Sequence, residues 1–411
     1  MKNIIKILVI LTPLLFIACG SNSKKSENSI EGKLLLDISA KDMKTLLLSE
    51  GWPIEGYDVY GYRAYKIPYV TKDEKENDVN VSGLLVIPTE LPSSLQEDGL
   101  SIVSYQHGTI TLNADAPTEQ AIRYKQPDAD SVIFSSLGGF ATLQADYIGY
   151  GDSSSHYHPY MLKKSLANST IDLIEATRKF AQENDIELNE KLFLTGYSEG
   201  GYGTMATVQK LEELGNSVVA SAPMAGDYDL DYIANSSLGL KEENLTGFSS
   251  AYFALTSLAY TKVYDKNIST VINKPYDSQI ETLLDGKHSS SQIENALPKN
   301  NYGEEGLFRA DFVEEYITNS ESWFKKALIE NSVYDWSLNS PMHIVHCEGD
   351  DEVPYAIAKN TYETMLSNGT KNLELITPDA NEPKDKKWSH GECSFPATVH
   401  TVLWFVEMRD K

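Results

Sequence analysis

The chain has 411 residues and a formal net charge of −24, with 59 acidic against 35 basic side chains. That balance argues against nucleic acid and against anionic membrane surfaces as partners, because both repel an acidic surface. A hydrophobic content of 41% with 24 tyrosines lets a chain of this length build one large domain with an insertion, or two domains.

The first residues are not expected to join the fold. Lys2 and Lys6 precede an apolar run, Ile7 to Ile17, too short to serve comfortably as a permanent span. Phe16-Ile-Ala-Cys19 then resembles a bacterial lipobox, with Phe16 where leucine is usual. This predicts a signal peptide over 1–18, lipid attachment at Cys19 and a polar tether over 19–31. The protein is then an exported bacterial lipoprotein, anchored to the cell envelope and touching membrane only through its lipid. An ordinary secretory signal with a coincidental cysteine is the other reading. Either way the mature chain leaves the reducing cytosol. No other segment is long and apolar enough to span a membrane.

Lys41–Leu48 has a short helical pattern. Tyr60–Val70 and Val79–Pro88 alternate around a charged turn and predict an antiparallel hairpin. Leu100–Gln106 predicts a short buried strand leading into His107-Gly-Thr109, followed by loop and helix over Asn113–Leu137. Gly139–Asp146 predicts another strand, closed by the glycine-rich turn Asp146-Tyr-Ile-Gly-Tyr-Gly-Asp-Ser153. Tyr160–Asn184 carries apolar residues at helical spacing. A strand over Lys191–Thr195, a helix over Gly201–Leu214 and a strand over Val218–Ala222 follow. Such alternation points to an α/β fold with a largely parallel sheet. It breaks over 228–336, where helical periods dominate, and this stretch is read as an inserted helical cap. It resumes with Met342–Cys347 (strand), Tyr355–Ser367 (helix), Asn372–Ile376 (strand) and a last helix over Pro396–Met408. Pro396 suits the first turn of that helix. The core therefore comes in two parts, 32–227 and 337–411.

Gly196-Tyr-Ser-Glu-Gly200 sits between a predicted strand and a predicted helix and matches G-x-S-x-G. A turn this tight holds Ser198 in a strained conformation, and bulky residues two positions either side would clash. It lifts the Ser198 hydroxyl to a helix N-terminus, where partial positive charge favours a developing anion. The motif alone also arises as a chance turn; the strand before it and the helix after it favour a nucleophile. A serine hydroxyl needs a base to take its proton and a third group to orient that base. Gly349-Asp-Asp-Glu-Val-Pro354, just past a strand end, offers Asp350 or Asp351, and the spacing to Val353 favours Asp350. His390, in the loop between the last strand and the last helix, is the best placed of eight histidines to act as base. Backbone N–H groups of Glu199 and Thr109 are the candidates for an oxyanion hole. No H-E-x-x-H or paired C-x-x-C spacing occurs, so no metal is expected.

Val81-Ser-Gly-Leu-Leu-Val-Ile-Pro88, Tyr105-Gln-His-Gly-Thr109, Ala145–Ser153, Gly196–Gly200, Gly349–Pro354 and His390 occur in the order of the α/β-hydrolase superfamily. Over most of the mature chain the sequence resembles its bacterial secreted esterase/lipase-type members. The resemblance implies an α/β-hydrolase fold, a mostly parallel sheet flanked by helices with a helical cap. It implies ester hydrolysis through an acyl-enzyme by Ser198, His390 and Asp350, with no cofactor and a small-molecule or glycan ester as substrate. His346-Cys347 departs from the pattern, since glycine often follows the histidine there. Two other functions stay open: a serine peptidase resembling the prolyl type, and a surface ligand-binding lipoprotein without catalysis. Cys347 lies three residues before the proposed acid and Cys393 three after the proposed base. If acid and base meet, their loops bring these cysteines toward bridging distance, and export permits oxidation. Two reduced cysteines are the other reading.

Overall fold

The structure is a computed structural model describing residues 29–126, 128–238, 250–303 and 305–411. The expected signal peptide and Cys19 lie outside the described residues, as does most of the tether. The strands are β1 (Lys33–Ile38), β2 (Gly61–Lys72), β3 (Asp78–Thr89), β4 (Leu100–Gln106), β5 (Ala141–Ala145), β6 (Leu188–Tyr197), β7 (Ala220–Met224), β8 (Met342–Val345) and β9 (Leu373–Ile376). They form one sheet in the order β1-β2-β3-β5-β4-β6-β7-β8-β9. The β2–β3 hairpin is in continuous antiparallel register from Gly61↔Thr89 to Lys72↔Asp78. β3 pairs antiparallel with β5, and every pair from β5 through β9 is parallel. This is the α/β-hydrolase fold.

The central strands read as apolar runs because both faces of a parallel sheet are covered. In β6, Leu192 and Leu194 pack into one core while Phe193 faces the other. In β4, Ile102 belongs to the first core and Val103 and Tyr105 to the second. The helices Lys163–Glu183 and Glu199–Glu213 cover one face, and the C-terminal helix His390–Arg409 covers the other.

Two elements differ from the sequence expectation. β1 was not foreseen. It is an edge strand with no fully buried residue, so its apolar residues do not alternate, and it forms by adding to the free edge of β2. The last helix begins six residues earlier than its proline suggests. Ser389 and Glu392 form a capping box that satisfies orphan amides at both positions, so Pro396 falls inside the helix and not in its first turn. His390 is consequently the first residue of a helix and not a loop residue.

Between β7 and β8 the described residues hold the helices Leu230–Leu238, Ser250–Val263, Ser290–Ala296, Ala310–Thr318 and Trp323–Asn331. Their own core is aromatic, with Phe312 and Phe324 edge to face at 5.3 Å and Phe308 stacked on Phe312 at 5.5 Å. Burying rings of this size contributes roughly 1.5–3 kcal/mol each, which lets the segment order itself without a sheet. It docks on the core through tyrosine hydroxyls. Tyr260 Oη donates to Met161 O at 2.9 Å, and Tyr252 Oη donates to Glu352 at 2.8 Å, in the turn that also carries Asp350.

Cys347 and Cys393 form a disulfide with a Cα separation of 6.0 Å. It joins the end of β8 to the first turn of the C-terminal helix, and both cysteines are fully buried. Replacing both with alanine should cost about 2–4 kcal/mol of unfolding free energy. Urea unfolding with and without reductant measures this. Two titratable thiols in the denatured, unreduced protein would contradict the bridge.

Candidate active site

The turn after β6 is set by its neighbours. β4 and β7 flank β6, with Gln106 opposite Gly196 and Met224 opposite Tyr197. A Cβ on either Gly196 or Gly200 would be driven into the Gln106 carbonyl oxygen, so only glycine fits at both positions. Between them Ser198 adopts φ +60° and ψ −123°, a strained conformation for a residue with a side chain. Its amide donates to Met224 O at 2.9 Å. Glu199 opens the helix that follows, so its N–H belongs to the first turn, which has no intrahelical acceptor. The His107-Gly-Thr109 turn closes against the elbow: a Cβ on Gly108 would lie 3.6 Å from Ser198 Cβ.

His390 comes to the elbow from the far end of the chain. The Tyr197 hydroxyl donates to His390 O at 2.6 Å, and the two rings pack at 4.9 Å. His390 Nδ1 lies 2.7 Å from Asp350 Oδ2. Asp350 Oδ1 accepts from the amides of Glu352 (3.0 Å) and Val353 (2.8 Å). Asp351 does something else, accepting from the His390 backbone amide at 2.9 Å. The two adjacent carboxylates thus divide the work, one on the imidazole and one on the helix start.

Burial would push the Asp350 carboxyl up, but hydrogen bonds from His346 and His390 outweigh it and hold the group well below the usual carboxylate range. Burial would likewise lower the His390 imidazole, and the Asp350 hydrogen bond and charge more than offset it, so the ring titrates above its ordinary value.

Three supporting residues were not recognised in the sequence. His346 Nε2 contacts Asp350 Oδ2 at 3.1 Å and Val353 O at 3.0 Å. The His346-Cys347 departure therefore supplies a second imidazole to the acid and a half-cystine to the bridge. Buried Asp379 accepts from the amides of Glu348 (2.8 Å), Gly349 (3.1 Å) and Trp388 (3.2 Å), lacing the Asp350 turn to the loop leading into His390. His158 Nε2 meets Glu199 Oε1 at 2.6 Å while its Nδ1–H donates to Ile148 O at 2.9 Å. This buried pair fixes the residue after Ser198 to the loop beyond β5. Only the four-residue spacing of His346 and Asp350 was visible in the sequence; the other partners lie 7 to 41 residues apart, at no spacing that a motif marks. Among the described residues no group of three or more His, Cys, Asp or Glu side chains converges as a metal site.

Comparison with known proteins agrees with this architecture. Residues 128–263 match the model of the prolyl oligopeptidase family, over less than half of the chain. No curated protein matches the sequence. Among solved structures, a Legionella pneumophila protein classed as a hydrolase superposes with a TM-score of 0.77 at 25% identity, covering 92% of this chain and 96% of its own. The rice cell wall degrading esterase LipA from Xanthomonas oryzae, in a ligand-bound form, superposes at 0.78 with 23% identity, covering 93% and 97%. Candida antarctica lipase A in its closed state shares the fold at 0.61 and 14% identity, covering 92% and 81%. Fold, family match and structural neighbours together make this chain a serine hydrolase of the α/β-hydrolase superfamily.

Proposed function

We propose that the chain is a carboxylic ester hydrolase acting through an acyl-enzyme. The observation that carries this reading is the 2.7 Å contact between His390 Nδ1 and the buried Asp350 carboxylate, held against the elbow by Tyr197. In this reading Ser198 Oγ attacks the acyl carbon as His390 Nε2 takes its proton. Asp350 accepts the Nδ1–H bond, which leaves Nε2 free to act as base and stabilises the imidazolium that forms. The Glu199 and Thr109 amides hold the oxyanion. His390 then returns the proton to the leaving alcohol, and water repeats the sequence to release the acid. None of these steps calls for a cofactor or metal. The 228–336 segment serves as a cap shaping a pocket for a small-molecule or glycan ester, and the acidic surface makes nucleic acid a poor partner. The esterase and lipase among the structural neighbours support ester cleavage.

A serine peptidase is the second reading, favoured by the match to the prolyl oligopeptidase family model. The same groups serve both reactions. Hydrolysis of p-nitrophenyl acetate set against a panel of aminoacyl anilides separates them, with esters expected to turn over faster.

Ser198→Ala and His390→Ala should each lower kcat by about 10⁴-fold or more, with binding retained. Asp350→Asn should cost on the order of 10⁴-fold through loss of the correct tautomer. Asp351→Asn, which weakens only the cap on the His390 amide, should cost stability of about 0.5–2 kcal/mol and little turnover. Near-full activity in Ser198→Ala would sink the assignment, and a larger loss in Asp351→Asn would exchange the carboxylates.

The base must be neutral to accept a proton, and Asp350 raises the pKa of His390. Activity should therefore fall as pH drops through a value above the ordinary histidine pKa of about 6.5. In Asp350→Asn the acid limb of kcat/KM should move to lower pH; a limb that does not move would argue against this coupling.

We further propose that Cys19 carries lipid and holds the mature protein on the bacterial envelope. Mass analysis of the mature N-terminus should find a diacylated Cys19; release as a soluble protein beginning elsewhere would contradict it.

A further inference from the structure

The acyl-enzyme reading assigns nothing to a carboxyl that sits beside the proposed triad. Asp227 follows the end of β7 by three residues, and the chain leading to it is held against the elbow. Met224 O accepts the Ser198 amide at 2.9 Å, and the Ala225 amide donates to Val345 O at 2.9 Å. A Cβ on Gly226 would lie 2.6 Å from Tyr202 N, in the elbow helix. Asp227 is thereby fixed at the carboxyl end of the sheet, between the elbow and the strand that leads to Asp350. It is 4% exposed, and its Oδ1 is buried with no hydrogen-bond partner among the described residues.

A carboxyl oxygen buried without a partner is costly, and each such group in a folded protein calls for an explanation. The groups facing Asp227 come from every element around the site. They are His390 on the C-terminal helix, Asp350 and Glu352 after β8, Glu199 and Tyr202 in the elbow helix, Tyr160 after β5, and the adjacent Tyr228 and Tyr252 in the 228–336 insertion. Tyr160 Oη is itself bonded to Thr109 Oγ1 at 3.1 Å, next to the proposed oxyanion amide. Burial pushes the Asp227 carboxyl up to about 8; His390 opposes the rise, and Asp350, Glu352 and Glu199 add to it. At neutral pH the group is a carboxylic acid, a strong hydrogen-bond donor.

We propose that Asp227 is a specificity-determining residue whose buried, unpartnered carboxyl makes a hydrogen bond to a second oxygen of the substrate, an ether or carbonyl oxygen close to the scissile ester. The site then selects esters carrying such an acceptor over plain alkyl esters of the same shape. This rests on the ester hydrolase reading.

Two matched pairs test it, one on each side of the ester. p-Nitrophenyl β-methoxypropionate is compared with p-nitrophenyl valerate, and methoxyethyl butyrate with butyl butyrate. The readout is the ratio of kcat/KM within each pair, for wild type, Asp227→Asn and Asp227→Leu, from about pH 6 to about pH 9.5. In at least one pair the ratio should fall about tenfold in Asp227→Leu, the size of one hydrogen bond. In wild type it should collapse as pH rises through the titration of Asp227. In Asp227→Asn, whose amide donates and does not ionise, it should persist to high pH. A role in folding alone would not move a ratio between matched substrates.

Fluorophosphonate labelling counts intact sites in each variant, and Asp227→Asn, the closest in shape, carries the test if Asp227→Leu does not label. Equal ratios in all three proteins, or identical pH profiles for wild type and Asp227→Asn, would overturn the proposal. So would a preference for aminoacyl esters lost in both variants, which would mark Asp227 as a cation site. Activity surviving in Ser198→Ala would instead refute Ser198 as the nucleophile, and wild type that turns over none of the four esters would refute the ester hydrolase reading itself.

Discussion

One backbone turn sets the geometry of the rest. Ser198 sits at φ +60° and ψ −123°, which costs of order 1–3 kcal/mol for a residue with a side chain. The surrounding sheet carries that cost. β4, β6 and β7 are parallel and in register, so Gln106, Gly196 and Pro223 lie side by side. The Gln106 carbonyl closes on both glycines of the turn, and Met224 O takes the Ser198 amide. A core packed on both faces of these strands keeps them from shifting to relieve the strain.

The second centre of organisation is the Asp350 carboxylate. It is buried, and two imidazoles and two backbone amides direct hydrogen bonds to it. Bonds of this kind to an ionised acceptor are stronger than neutral ones and set orientation as well as energy. Around it the two loops are joined three times over. The Cys347–Cys393 disulfide, the three amides on Asp379 and the Asp351 contact to the His390 amide all hold the helix start against the acid turn. The imidazole is thus positioned by covalent, charged and backbone contacts before any substrate arrives. The 228–336 insertion reaches the same turn through the Tyr252 hydroxyl, which donates to Glu352.

Much of this was legible in the chain. Glycines at a fixed spacing around a serine, between a buried strand and a helix, are a local signal, and the structure has that turn in that context. The order of strands and helices gave the fold class because periodicity follows from which faces are buried. The last helix was misread because proline was weighed above Ser389 and Glu392, although a capping box is also local and was present to be read. β1 was missed because an edge strand with half-exposed residues leaves no alternation to detect.

What the sequence determined by itself was therefore the set of short-range choices: the elbow, the hairpin, the strands of the parallel sheet and the helical character of the insertion. What the tertiary structure decided was which carboxylate serves which atom. Asp350 and Asp351 are adjacent and chemically equal, and only the approach of the C-terminal helix assigns one to the ring and the other to the amide. The same holds for His158 on Glu199, Asp379 between two loops, and the unpartnered oxygen of Asp227. Each depends on segments far apart in the chain meeting at one end of the sheet. Spacing along a sequence carries no record of such contacts, because the register of β4, β6, β7 and β8 and the helices packed on them set those distances.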